Sequence, residues 1–189
     1  MRFVRPGWRT VSSPSLPSSS SSQATAISKS GTQQYMAACT DAAAVGVTVF
    51  ALWIHLDFAP LAFGGAGGFD PRTQYGSIDW ALAATRLLGA IVIVPVMEEL
   101  FWRSFVLRWT ANPDFLKVVP MESGGKALAL SALLFGLEHH LWFAGLAAGV
   151  TYGWLYMATG KLWTSIAAHA TTNTALGVWV LVTGSWRLW

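Results

Sequence analysis

Two long apolar segments constrain the fold of this chain more than any other feature of its sequence. The first runs from Tyr35 to Leu56 with Asp41 as its single charged residue, and the second runs from Ile78 through Pro95 to Trp109. About 20 predominantly apolar residues suffice to cross the hydrocarbon core of a bilayer as a helix. A helix over the whole second segment would exceed the thickness of the bilayer. We therefore expect it to tilt, to extend beyond the membrane, or to bend at Pro95.

Three further apolar segments continue this pattern toward the C-terminus. They cover residues from about Ala127 to His140, Trp142 to Thr159 and Leu162 to Thr183. Of the 189 residues, 53% are hydrophobic and 11% are charged, whereas roughly 25% of the residues of soluble proteins are charged. Backbone polar groups in lipid have to pair within their own segment, which favours helices. The sequence therefore predicts an all-α fold, a polytopic transmembrane helix bundle of about five spans in the cell (inner) membrane.

The first 34 residues differ from the rest in composition. They contain "SSPSLPSSSSSQ", four basic residues and no acidic residue, without the continuous apolar stretch of a secretory signal. We interpret residues 1–34 as a flexible, basic, Ser-rich tail and residues 35–189 as the membrane domain. Lys117 and Lys161 fall on the same side of a five-span bundle as this tail, and the positive-inside rule places that side in the cytoplasm. The net charge of +3 is too small and too scattered to indicate nucleic acid, so the expected partners are the lipid bilayer and a membrane-bound protein or peptide.

Glu98, Glu99 and Arg103 place charge inside the second apolar segment. An ionisable side chain at membrane depth costs about 2.5–3.5 kcal/mol on insertion scales, and it usually faces the bundle interior and has a function there. Glu99 and Arg103 are one helical turn apart with the glutamate first, the favourable arrangement for an ion pair. Glu98 points about 100° away from Glu99 on a helix, so we predict a supporting role for the ion pair and a chemical role for Glu98. The alternative is a charged helix end at the lipid headgroups, with Arg103 extending toward them.

Two histidine-containing motifs lie in the C-terminal half. In "FGLEHH", His139 shares a helical face with the phenylalanine four residues earlier, whereas Glu138 and His140 point elsewhere. In "HATTN", His169 and Asn173 lie one helical turn apart on the same face. Each pair alone is also typical of hydrogen-bonded packing between membrane helices.

Together the three motifs supply the groups that amide hydrolysis needs. Glu98 and His139 can activate a water molecule, and His169 and Asn173 can stabilise an oxyanion. Glu98, His139 and His169 are also candidate zinc ligands, because one carboxylate and two imidazoles form a familiar catalytic zinc set. The sequence lacks the compact H-E-x-x-H spacing of zinc peptidases. Metal-free water activation is therefore the preferred interpretation, and zinc is the alternative.

Gly145, Gly149 and Gly153 recur at four-residue spacing in the fourth apolar segment. Such a stripe of small residues allows two membrane helices to approach closely. We interpret it as a packing surface.

The order and spacing of the charged motifs resemble those of the CPBP family of intramembrane proteases, which includes the eukaryotic CAAX prenyl proteases. The family pattern is E-E-x-x-x-R, then F-x-x-x-H, then H-x-x-x-N, matched here by Glu98–Arg103, Phe135–His139 and His169–Asn173. The similarity covers roughly residues 36–189. "VPVMEELFWRSFVLRW" and "EHHLWFAGLAAGVTYGWLY" are similar to bacterial CAAX prenyl protease-related proteins that accompany exosortase and PEP-CTERM sorting systems. Relatives usually carry additional N-terminal membrane helices where this chain has its tail, so an N-terminally truncated domain is one interpretation.

The resemblance implies an intramembrane endopeptidase that hydrolyses a peptide bond near the membrane segment or the C-terminal tail of a protein substrate. It implies that Glu98 and His139 activate the water, that His169 and Asn173 form the oxyanion site, and that Arg103 supports the glutamates. Two alternatives stay open: a non-catalytic membrane partner of a protein-sorting system and, less favoured, a metal or proton transporter. A transporter would usually spread its polar groups along a path, whereas here they gather in three short clusters.

Overall fold

The computed structural model describes residues 21–57, 60–63 and 68–189, with side chains described from residue 36 onward. The described residues form five long helices and no strand, and Arg72 and Ile78 make an isolated bridge. The helices are α1 (Ser21–His55), α2 (Trp80–Ala111), α3 (Gly124–Leu137), α4 (Trp142–Thr159) and α5 (Leu162–Thr183). The predicted all-α fold is confirmed.

The chain divides into two compact units, Met1–Tyr35 and Met36–Trp189, and all contacts reported below lie within the second. Residues 1–20 of the predicted tail lie outside the described residues, and α1 begins at Ser21. The bounds of α4 and α5 are those predicted from the sequence. In contrast, α3 ends at Leu137, three residues earlier than predicted, so Glu138, His139 and His140 belong to a turn.

Two helices have the length and hydropathy needed to cross a membrane, namely Met36–His55 within α1 and the whole of α2. Only 17% and 11% of their most apolar windows are buried inside the protein. Along α2 the exposed large apolar side chains include Leu88, Ile93 and Met97. Soluble proteins rarely expose apolar surface of this extent. The pattern fits a helix whose outer face contacts lipid.

Two π-helical segments, Gly89–Ile93 and Leu100–Leu107, flank the α-helical turn that carries Glu98 and Glu99. Pro95 lies in that turn and lacks the amide hydrogen that a regular helix would use. The helix continues through Pro95, with the backbone amide of Val94 bonded to the carbonyl of Gly89, five residues back. π-helical turns widen a helix locally and are frequent at functional sites.

Close packing of α3 on α4 fixes the turn that carries His139. A Cβ atom at Gly149 would lie 2.9 Å from the Cα of Ala132, and one at Gly145 would lie 3.1 Å from both the Cα of Gly136 and the Cβ of His139. The interpretation of the glycine stripe as a packing surface is confirmed. Because residues with side chains would hold the two helices apart, the stripe also sets the position of His139.

The segment between α1 and α2 holds the same turn from the other side. The backbone amide of Phe63 donates to the carbonyl of His140 at 2.9 Å. The ring of Phe63 stacks on Trp142 at 5.9 Å, and the indole N–H of Trp142 donates to the carbonyl of Pro60 at 3.3 Å. The turn from Glu138 to Leu141 is thus anchored on both sides.

Candidate active site

Glu99 and Arg103 form a buried ion pair inside α2. Their side chains are 0% and 1% exposed, and Arg103 Nε lies 3.0 Å from Glu99 Oε2. The guanidinium group also lies over the rings of Phe135 and Tyr152, at 4.3 Å and 5.5 Å from the centroids. These cation–π contacts help to offset the cost of removing the charge from water. The predicted ion pair is confirmed, and the alternative of an arginine that extends to the lipid headgroups is wrong.

The second oxygen of Glu99 contacts α5. Glu99 Oε1 lies 2.9 Å from His169 Nδ1. A carboxylate that is ionised beside an arginine can only accept hydrogen bonds, so Nδ1 is the donor. The other ring nitrogen of His169, Nε2, lies 4.0 Å from Glu98 Oε2. His169 is therefore held between the two adjacent glutamates.

His139 lies in the turn after α3. Its Nδ1 donates to the carbonyl of Phe135 at 2.7 Å, which leaves Nε2 free to accept a proton or to bind a ligand. The ring of Trp53 on α1 meets the imidazole edge to face, at 5.4 Å between ring centroids. The side chain is 21% exposed, which is enough for access from a wet cavity.

Glu138 lies close to Glu98 and His139, which the sequence analysis did not predict. Its Oε1 accepts the indole N–H of Trp102 at 2.9 Å, and ligand atoms of Glu98, Glu138 and His139 lie within 4.8 Å of one another. The sequence analysis assumed that the helix continues through His140, whereas α3 ends at Leu137 and Glu138 begins the turn. This group of possible ligands differs from the predicted set, since Glu138 takes the place that the sequence analysis gave to His169.

His139, His169 and Asn173 line one cavity of about 100 Å³. Its other walls are mainly apolar and come from Trp53, Val94, Phe135, Ala148, Tyr152 and Thr172. By this measure a water molecule needs about 10–15 Å³, so several waters fit. The structure therefore brings three of the four predicted catalytic residues to one cavity, with Glu98 beside His169.

Asn173 uses one of its two amide hydrogens within the protein. Its Nδ2 donates to the carbonyl of Ala90 at 2.7 Å, in the first π-helical segment of α2. An asparagine amide carries two N–H donors, so one is left for a ligand in the cavity. This bond connects Asn173, a candidate donor to an oxyanion, to the π-helical segment Gly89–Ile93.

The ring that stacks on His169 belongs to a buried series of hydrogen bonds between α4, α5 and α1. The ring of Tyr152 on α4 stacks on the imidazole at 5.0 Å, with an angle of 19° between the ring planes. Tyr152 donates its O–H to Thr172 at 2.7 Å, and Thr172 donates to the carbonyl of Gly46 on α1 at 2.8 Å. The sequence carried no signal for this arrangement, because a tyrosine and a threonine in apolar helices are usual packing residues.

Comparisons with known proteins identify one family. Residues 80–175, about half of the chain, match the family described as Type II CAAX prenyl endopeptidase Rce1-like. No curated protein and no solved structure matches the chain. The matched range contains all the predicted site residues, namely Glu98, Glu99, Arg103, His139, His169 and Asn173.

Proposed function

The chain belongs to the Rce1-like family of type II CAAX prenyl endopeptidases, and we propose that it hydrolyses a peptide bond near the membrane segment or C-terminal tail of a protein substrate. Family membership and the two apolar helices make it a membrane protein of the CAAX-protease type. One observation carries the proposal. Glu98, His139, His169 and Asn173 come from three separate parts of the sequence; the last three line one small cavity with room for water, and Glu98 lies beside His169.

Glu98 and His139 would activate the water. Glu98 takes a proton from a water molecule held between its carboxylate and the free Nε2 of His139, and the water oxygen attacks the carbonyl carbon of the scissile bond. The same carboxyl group then gives the proton to the leaving amine. Glu98 suits this role because its Oε2 is buried and lacks a hydrogen-bond partner among the described residues.

Asn173 and His169 would stabilise the negative oxygen of the tetrahedral intermediate. Asn173 offers the amide hydrogen that Ala90 does not use. His169 can donate from Nε2 only in its doubly protonated form, because its contact with Glu99 places the other proton on Nδ1. Removing one such donor typically lowers kcat by about 10²- to 10³-fold.

We propose a multi-pass location in the cell (inner) membrane, with the basic tail on the cytoplasmic side. The substrate class would be membrane-bound proteins or peptides that reach the cavity from the bilayer. A role beside an exosortase-type sorting system follows from the resemblance to the bacterial CAAX prenyl protease-related proteins, and it stays a prediction.

Replacing His139 with glutamine tests the proposal in cells. We expect wild-type protein to produce new termini on membrane proteins, detectable by mass spectrometry, and His139→Gln to produce none while it accumulates normally. His55→Gln is the matched control, because the Nδ1 of His55 makes the same kind of bond to a carbonyl four residues back, at 2.6 Å, away from the cavity. Equal processing by wild type and His139→Gln would favour the non-catalytic partner or the transporter.

Metal content separates metal-free from metal-assisted hydrolysis. Two carboxylates and one imidazole form an oxygen-rich set that suits magnesium or manganese better than zinc, and Glu138 already accepts a hydrogen bond from Trp102. We therefore expect protein purified without chelators to carry less than one equivalent of zinc. Metal-free water activation further predicts that its activity survives chelation. A stoichiometric metal lost in both Glu138→Gln and His139→Gln would contradict this expectation.

A further inference from the structure

Each carboxylate oxygen of Glu99 contacts a different residue, one on α2 and the other on α5. Oε2 lies 3.0 Å from Arg103 Nε on α2, and Oε1 lies 2.9 Å from His169 Nδ1 on α5. Glu99 itself is 0% exposed, and His169 is 5% exposed. A counter-ion for Arg103 alone would need only one of these contacts. The second contact connects Glu99 to the cavity.

The bond to Glu99 decides which nitrogen of His169 carries the proton in the neutral ring. An ionised carboxylate has no proton to give, so Nδ1 must keep its own. Nε2 then carries no proton in the neutral ring, and it is the nitrogen that lies 4.0 Å from Glu98. A partner on one ring nitrogen is the usual way in which proteins fix the tautomer of a functional histidine.

The other contacts of His169 hold its ring plane but do not select a tautomer. Tyr152 stacks on one face at 5.0 Å, and Phe135 meets the ring edge to face at 6.2 Å. Both contacts are equally good for either tautomer. Among these contacts, the one with Glu99 therefore selects the tautomer of His169.

We propose that Glu99 is a positioning residue of the hydrolytic site, which acts through His169 in addition to pairing with Arg103. This inference deepens the proposed function, and its catalytic consequence rests on that function. The placement of the proton on Nδ1, however, can be measured without any substrate. The failure of one proposal is thus distinguishable from the failure of the other.

Nitrogen-15 NMR of full-length protein in detergent, labelled at its four histidines, tests the proposal. The signals of His169 are those that disappear in His169→Gln. In wild type we expect the neutral ring to carry its proton on Nδ1, with Nε2 unprotonated. In Glu99→Gln we expect the amide oxygen to face Arg103 and the NH2 group to face His169, so that Nδ1 becomes the acceptor and the proton of the neutral ring moves to Nε2. Arg103→Lys keeps the carboxylate and is expected to keep the wild-type pattern.

The kinetic counterpart separates positioning from a structural role. Glu99→Gln is expected to lower kcat at least about tenfold with KM unchanged, because the variant lacks the carboxylate that stabilises doubly protonated His169, the form that donates from Nε2 in the wild type. If Glu99→Gln alone does not fold, Glu99→Met combined with Arg103→Met removes both charges together with the acceptor for Nδ1, and leaves no charge unpaired. That double variant should show the same loss of the Nδ1 proton. Unchanged His169 signals in the folded Glu99 variant would overturn the proposal, whatever the activity.

Discussion

Glu98→Gln is expected to lower kcat of peptide hydrolysis by about 10²- to 10⁴-fold and to leave the amount of folded protein unchanged. Glutamine matches glutamate in shape but cannot take a proton from water. Glu98 Oε2 has no hydrogen-bond partner among the described residues and lies 4.0 Å from His169 Nε2. The substitution therefore removes no structural bond. We therefore expect the variant to lose catalysis and to keep its fold.

Purified wild-type and Glu98→Gln proteins can be compared on a peptide that carries a cleavage site identified in cells. Glu122→Gln is the matched control, because Glu122 is exposed and lies in the short helix Pro120–Glu122 between α2 and α3. We expect the control to keep the wild-type rate and both variants to unfold at the wild-type temperature. A wild-type rate for Glu98→Gln would remove Glu98 from the catalytic site.

Several helix ends could be predicted because the residues that end them are visible in the sequence. Gly160 follows α4 with φ +64°, and Gly184 follows α5 with φ +70°. This left-handed conformation after the last helical turn favours glycine, so both ends carry a local signal. The end of α3 carries none. Glu138 keeps a helical conformation, and the chain turns because α4 packs back onto α3 across Gly136 and Gly145.

In the site, too, contacts within one helix could be predicted from the sequence, whereas contacts between helices could not. Spacing along α2 predicted the pair of Glu99 and Arg103, since both residues lie on one helix. The bond from Glu99 to His169, 70 residues away, depends on how α2 and α5 pack, which no local pattern encodes. The approach of Glu138 to Glu98 likewise depends on an unpredicted turn. The catalytic roles assigned to Glu98, His139, His169 and Asn173 stay predictions until the variants are measured.

Gly149→Val is expected to destabilise the helix bundle by about 1–3 kcal/mol and to abolish processing. A Cβ atom at this position would lie 2.9 Å from the Cα and 3.0 Å from the carbonyl oxygen of Ala132. These are backbone atoms, so relief requires α3 to move away from α4. Since His139 follows the end of α3, that movement would also displace the water-activating imidazole. Thermal unfolding in detergent and the cellular processing assay measure the two effects.

Gly125→Val separates packing from the other effects of the substitution. Gly125 lies in α3, and a Cβ atom there would meet nothing within 4 Å. Both substitutions replace a glycine with the same β-branched residue, and only the one at Gly149 meets the backbone of a neighbouring helix, so the larger loss expected there reports the contact between α3 and α4. Adding Ala132→Gly to Gly149→Val removes a methyl group 3.2 Å from the new Cβ but leaves the closer backbone atoms in place. We therefore expect little rescue, and full rescue would mean that the side chain of Ala132, rather than its backbone, limits how closely α3 and α4 approach.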